Sequence, residues 1–97
     1  MDETIRNEAG SVERVGVLAK SGPWFVHRSA FREPGYSVTH RPTGLRACSG
    51  MSSKTRAIAA MRAMRKIPGD WNFTDPSALS KRQKMAGRRV RAEFKDT

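Results

Sequence analysis

Three short segments with strand character, separated by turns that carry Pro and Gly, most constrain the fold of this chain. Residues 24–28 are aromatic and β-branched, and residues 36–40 and 45–49 alternate large and polar side chains with a period of two. The turns between them, at 33–35 and 41–44, are tight. This order predicts an antiparallel meander, with four side chains facing the core: Tyr36, Val38, Leu45 and Ala47.

A helix is predicted directly after these strands. Ser52 or Ser53 can cap its start, and Pro68-Gly69 ends it. Its apolar stripe at helical spacing consists of Ala57, Ala60, Met61, Met64 and Ile67. Trp71 and Phe73 follow, and we expect them to fold back under the sheet and complete the core.

The predicted fold class is therefore α+β: a three-stranded antiparallel sheet packed on one helix, followed by a basic, partly helical C-terminal tail. The valines of 12–18 permit either a short fourth strand or a single helical turn. We divide the chain into a flexible leader over 1–11, a βββα core domain over 12–74 and a basic C-terminal helix or tail over 75–97. Asp75-Pro76 favours a helix start in the last segment, and Gly87 favours a break or an end.

Length and charge limit the class of protein. A chain of 97 residues has room for one small domain, and its net charge of +10, from 19 Lys and Arg against 9 Asp and Glu, favours a negatively charged partner. The N-terminal residues lack signal-peptide features, no apolar stretch is long enough to span a membrane, and the single cysteine excludes an internal disulfide. We therefore expect a cytoplasmic protein with no membrane contact.

The basic residues form three blocks behind a mildly acidic N-terminal segment. The first block belongs to the predicted sheet, whose solvent-facing side would present Ser37 and Thr39 beside arginines. Arginine forms bidentate contacts with guanine and phosphate, and hydroxyls bond to phosphate oxygens. This sheet face is therefore a candidate reader of base edges or phosphates, although an ordinary solvated face has the same appearance.

The second and third blocks lie on the predicted helix and in the tail. The helix carries five basic residues and no acidic one, so its charges repel one another unless an anion neutralises them. The tail over 78–92 adds six more basic residues, which suit contacts with a nucleic-acid backbone. The candidate binding residues from all three blocks are Arg28, Arg41, Arg46, Lys54, Arg62, Arg65, Lys66, Lys81, Arg82, Lys84, Arg88, Arg89 and Arg91.

Other site chemistries have less support. His27, His40 and Cys48 are 13 and 8 residues apart with no fourth ligand of their type, which does not fit a structural zinc site. No catalytic motif is present, so we expect a non-catalytic protein without a cofactor or a small-molecule substrate. Five aromatic residues are able to stack on bases, but their periodicity assigns several of them to the core: Trp24, Phe25, Tyr36, Trp71 and Phe73.

The order of three strands and one helix over 22–69 resembles the integrase-type amino-terminal DNA-binding domains and the plant ethylene-response DNA-binding domains, which lay a three-stranded sheet across a groove. It also looks like the βββα portion of double-stranded RNA-binding domains, without their first helix. The segments Gly35–His40, Pro42–Leu45 and Asp70–Phe73 resemble small uncharacterised proteins of phages and mobile elements. Such proteins include inhibitors of host defence, the anti-CRISPR proteins among them.

Two functions follow as hypotheses. The first is a small, basic, non-catalytic nucleic-acid-binding protein that neutralises phosphates with Arg and Lys and releases counterions. The alternative is a phage or mobile-element inhibitor, similar to anti-CRISPR proteins, that docks on a host nucleoprotein complex in the host cytoplasm. The sequence leaves open whether the partner is DNA, RNA or an acidic protein surface.

Overall fold

The computed structural model describes residues 2–7, 9–29 and 34–94, and these form one mixed sheet covered by helices. The strands are β1 Asp2–Arg6, β2 Val12–Gly16, β3 Ala19–Ser21, β4 Trp24–Arg28, β5 Tyr36–His40 and β6 Leu45–Met51. The helices are α1 Lys54–Arg65, a short 3-10 helix Pro76–Ala78, and α2 Lys81–Phe94. The strand order is β2-β1-β6-β5-β4-β3, in which β1 and β6 are parallel and all other neighbours are antiparallel.

The predicted three- or four-stranded antiparallel sheet on one helix is wrong. Its three strands are present as β4, β5 and β6, although the predicted turn at 33–35 begins outside the described residues. The error lies at the N-terminus, where residues 2–6 of the predicted leader form β1 between β2 and β6. This position depends on pairing of Arg6 with Leu45, a contact far away in sequence that local periodicity does not reveal.

The six-stranded sheet curls into a half-barrel. Its two edge strands, β2 and β3, are joined by Val17 and Leu18 alone, and β2 lies against β4. A chain of this length spans at most about 11 Å. Across a flat sheet, the five spacings between the edge strands would measure about 24 Å. The short connection therefore requires the edges to bend towards each other.

The concave face of the curled sheet is small and partly polar. Ile5 and Phe25 are buried there, and Val15 and Val17 pack against them. The register pairs Phe25 with Thr39 and His27 with Ser37, which places all four side chains on the same face, and all are fully buried. The expected exposed face that would read bases with Ser37 and Thr39 is therefore wrong, because β1 and β2 curl over it.

The opposite face of the sheet packs on α1. Helix α1 begins where the Ser53 hydroxyl accepts a hydrogen bond from the backbone N–H of Arg56 at 3.1 Å, as predicted for a serine cap. The predicted apolar stripe is confirmed. Its buried side chains are Ala57, Ala60, Met61, Met64 and, just beyond the helix, Ile67, and they meet Trp24, Val26, Val38, Cys48 and Met51 of the sheet.

Helix α2 starts at a reciprocal capping box. The backbone N–H of Gln83 donates to the Ser80 hydroxyl at 3.1 Å, and the backbone N–H of Ser80 donates to Oε1 of Gln83 at 2.9 Å. The same Gln83 side chain is buried, and its amide donates to the backbone oxygen of Asp70 at 2.8 Å. These bonds fix the start of α2 against the loop that follows α1.

The rest of α2 packs on α1 and β6, so the expected partly helical tail is wrong. Val90 is buried in the main core, and Ala86 and Phe94 pack against it. Arg56 of α1 donates from Nε to the backbone oxygen of Phe94 at 3.0 Å, and Arg91 donates to that of Ala47 in β6 at 2.9 Å. Gly87 lies inside the helix rather than at a break. In the described part of the chain, no helix is long and apolar enough to cross a membrane.

Candidate nucleic-acid interface

A groove of about 260 Å³ lies between α2, the end of the sheet and the loop that joins the two α-helices. Its floor is aromatic and is formed by Trp24, His40, Trp71 and Phe73. Leu45 and Ala47 of β6 form one wall, and α2 forms the other. The groove therefore exists only because α2 packs beside the end of the sheet.

The aromatic floor is a closely packed set of rings. The ring centroids of Trp24 and Trp71 are 4.9 Å apart in an edge-to-face arrangement, and those of His40 and Phe73 are 4.9 Å apart at an interplanar angle of 33°. Trp24 is buried, whereas Trp71 and Phe73 are half-buried. The indole N–H of Trp71 donates to the backbone oxygen of Ile67 at 3.1 Å. The two half-buried rings are thus accessible surfaces on a rigid base.

His40 fixes the floor to the sheet. Its Nε2–H donates to the backbone oxygen of Trp71 at 2.6 Å, and its Nδ1 lies 2.9 Å from the hydroxyl of Thr43, which donates to it. Burial lowers the pKa of His40 below its usual value, although the bond to the Trp71 oxygen acts in the opposite direction. The ring is therefore neutral at neutral pH, and the positive charge at the groove comes from Lys and Arg.

A row of basic side chains forms the rim. Lys84, Arg88 and Arg91 follow each other at i, i+4 and i+7, so they share one side of α2, and all three line the groove. Arg46 of β6 also borders the groove, but its pairing with Thr39 places its side chain on the concave face, where its charge acts on His27. The side chains of Lys84 and Arg88 are exposed and have no hydrogen-bond or ion-pair partner among the described residues. None of the residues that line the groove is acidic.

A second, more polar cleft lies on the other side of the same tryptophans. Trp24 and Trp71 line both cavities, and Arg41 and Arg65 line only this one. The guanidinium of Arg65 lies over Gly22, where an added Cβ would be 1.2 Å from its Nη1. Arg41 is 3.9 Å from a carboxylate oxygen of Glu3, and Asp70 also lines the cleft. Acidic groups therefore already balance part of its charge.

The structure separates the candidate basic residues into distinct surfaces. The groove brings together Lys84, Arg88 and Arg91, the second cleft brings together Arg41 and Arg65, and Arg46 has its side chain on the concave face. Arg28 lies over the ring of Tyr36 at 5.5 Å, a cation–π contact within the sheet. The remaining candidates are exposed on α1, at its C-cap and on α2 without lining either cavity: Lys54, Arg62, Lys66, Lys81, Arg82 and Arg89.

The residues considered for a metal site lie in different places. His27 is in the concave face, His40 in the groove floor and Cys48 in the main core. Among the described residues, no three His, Cys, Asp or Glu side chains come close enough to hold a metal ion. Burial raises the pKa of the Cys48 thiol to about 11, so it is protonated at neutral pH.

Sequence reasoning assigned Trp71 and Phe73 to the core and missed that they form the accessible floor of a groove. The spacing Ser80-x-x-Gln83 is a capping-box signal that would have placed the start of α2 and the phase of its basic side chains. Which surface those side chains would face depends on packing between distant segments. No protein-family model, curated protein or solved structure matches this chain.

Proposed function

We propose that this chain is a non-catalytic nucleic-acid-binding protein and that the aromatic groove is its contact surface. The observation that carries the proposal is the row of Lys84, Arg88 and Arg91 along a groove that contains no acidic residue. Phosphates are the ligands that suit such a row, because each neutralised phosphate releases counterions into solution.

The energetics of α2 support an anionic partner. Like charges at i, i+4 destabilise a helix by about 0.2–0.5 kcal/mol per pair, and Lys84 and Arg88 form such a pair. Their side chains have no carboxylate partner in the described structure. A phosphate backbone along the rim relieves this repulsion, and the net charge of +10 steers nucleic acid towards the protein.

Fluorescence anisotropy with labelled DNA and RNA at several salt concentrations tests the proposal. We expect log affinity to fall linearly with log salt, with a slope of about −0.7 per phosphate contact on single strands and about −0.9 on duplex DNA. The double variant Lys84→Ala, Arg88→Ala removes two contacts. Its slope should therefore be smaller in magnitude by about 1.4 to 1.8.

The chain offers a charge-matched control on the same helix. Arg82→Ala, Arg89→Ala also removes two positive charges from exposed positions of α2, but neither residue lines the groove. We expect this variant to keep most of the affinity and nearly all of the slope. Equal losses in the two variants would show that the groove is not the contact surface. Absence of binding to any nucleic acid at about 10 μM protein would reject the proposal, since non-specific binders register near that level.

A further inference from the structure

We propose that the groove receives an unpaired nucleobase, so that the protein prefers single-stranded to duplex nucleic acid. This inference rests on the proposed function above and names the form of nucleic acid that the groove takes. It follows from three properties of the groove: its exposed aromatic surface, its size and the position of its charges.

The exposed aromatic surface belongs to Trp71 and Phe73. Trp71 is held by two hydrogen bonds, one from its indole N–H to Ile67 and one from His40 to its backbone oxygen. Phe73 rests against the rings of His40 and Trp71. Such rings lose little conformational freedom when a base stacks on them, and stacking accepts every base because each has a π-face.

The size of the groove fits one flat ring system. Its volume of about 260 Å³ is below the roughly 300–1,000 Å³ of pockets that hold drug-sized ligands. A peptide helix of about 10–12 Å diameter does not enter such a space. Bases of a duplex keep both faces covered by their neighbours, so they reach an aromatic floor only when they are unpaired.

The charges are placed for the backbone of the same nucleotide chain. Lys84 and Arg88 stand on the rim, while Gly87 between them presents no side chain to the groove. A base can therefore enter beside the bare backbone of α2 while its flanking phosphates remain at the rim. This arrangement separates two contributions to binding. The basic side chains at the rim cause the salt dependence of the affinity, and the aromatic rings of the floor cause the preference for unpaired bases.

The test compares a labelled thymidine oligomer with a hairpin duplex of equal charge. The variants are Phe73→Leu, which stays apolar but loses the flat ring, and Phe73→Tyr, which keeps the ring. For wild type we expect tighter binding of the oligomer, together with quenching of the intrinsic fluorescence, since both tryptophans line the groove. Phe73→Leu should weaken binding of the oligomer by about 5- to 150-fold, the effect of one stacked base, and leave duplex binding unchanged.

Phe73→Tyr should bind the oligomer within a few fold of wild type, and thermal unfolding checks that both variants are folded. Equal affinity of wild type for oligomer and duplex, or binding without a change in fluorescence, overturns base insertion. The proposed function then still stands if the Lys84 and Arg88 variant loses affinity. Absence of binding to both nucleic acids overturns the two proposals together. The fluorescence readout needs no variant, so it decides the question even if Phe73→Leu fails to fold.

Discussion

The two faces of the sheet are both buried, but by different means. The face towards α1 and α2 is covered by a large apolar cluster built on Trp24, Val26 and Val38. The concave face is filled by few apolar groups and by His27, Ser37 and Thr39, whose polar atoms bond to one another or to nearby groups. The Nε2 of His27 accepts from the Thr39 hydroxyl at 2.7 Å, and the hydroxyls of Ser29 and Ser37 are 2.7 Å apart.

This difference shows why alternating sequence does not identify an exposed face. Residues 36–40 alternate large and polar side chains, which is typical of a strand with one face in water. Here the polar side is closed by the curl of β1 and β2, and its buried polar side chains are satisfied by hydrogen bonds. The accessible site instead lies where the apolar face of the sheet ends beside α2.

The largest effect should come from a charge placed in the apolar cluster. Met61 is 4% exposed, and Met61→Asp buries a carboxylate without a partner. We expect a loss of more than about 4 kcal/mol, a large part of the roughly 5–15 kcal/mol that stabilises a domain. Urea unfolding measures it, with the exposed neighbour Arg62→Asp as the control, which should stay within about 0.5 kcal/mol of wild type. A cooperative transition of Met61→Asp close to that of the control would contradict the assigned helix face.

Two isosteric exchanges on adjacent residues of β5 compare the faces directly. Thr39→Val leaves the Nε2 of His27 without its donor on the concave face, which should cost about 1–3 kcal/mol. Val38→Thr buries a hydroxyl in the apolar cluster and should cost a similar amount. Denaturant unfolding of both variants checks this. A neutral or stabilising Thr39→Val would mean that the concave face is an ordinary apolar core.

Acid should destabilise the protein through one histidine on each side of the sheet. Burial lowers the pKa of His27 and of His40 in the folded state, so the unfolded chain binds protons that the native chain does not. The stabilisation that the two neutral histidines contribute is complete above their unfolded-state pKa of about 6.5. It declines as the pH falls towards their folded-state pKa values. The free energy of unfolding should therefore fall by at most about 1.4 kcal/mol per pH unit for each histidine.

Unfolding by urea at several pH values between about 7.5 and 5 measures this slope, and NMR titration of the two imidazoles assigns it to each histidine. Constant stability over this range, with both rings titrating at their usual value, would contradict the described burial. A slope from His40 alone would show that the concave face opens to water.

A smaller, stabilising effect should come from replacing Gly87 by alanine. An added Cβ would meet Cε of Met64 at 3.8 Å, an ordinary contact, and alanine favours the helix by about 0.5–1 kcal/mol over glycine. Gly87→Ala should therefore raise the melting temperature by about 2–8 °C. Gly69→Ala is the matched control and should lower it, because φ there is +122° and the new Cβ would lie 2.8 Å from Nε2 of Gln83. No change in Gly87→Ala would favour a frayed tail over a packed helix.

Much of the fold on the helix-covered side could be predicted from the sequence. The bounds of β4 and β5 and the buried stripe of α1 follow from local periodicity and turn residues. Strand β1 could not be predicted in this way, since only Ile5 among its residues is fully buried and its pairing with β6 is distant in sequence. The curl of the sheet follows from that pairing, so it was missed as well.

Only the chemical character of the candidate site could be predicted from the sequence, not its position in the fold. The basic character of 81–91 and the stacking ability of Trp71 and Phe73 are visible in the sequence. Their meeting in one groove depends on the bond between Gln83 and Asp70 and on the contact of Arg91 with β6, which join segments far apart in the chain. Composition alone therefore could not separate the groove residues from the other exposed basic residues.

The most direct test of the central claim is an NMR titration of ¹⁵N-labelled protein with a short single-stranded oligonucleotide. The claim is that nucleic acid binds at the groove on the helix-covered side, so we predict the largest shifts at the indole N–H of Trp71 and at the backbone amides of Phe73 and Arg88. Amides on the outer side of α1, around Arg62 and Lys66, should change little. Shifts concentrated around Arg62 and Lys66, or spread evenly over all basic surfaces, would contradict the claim.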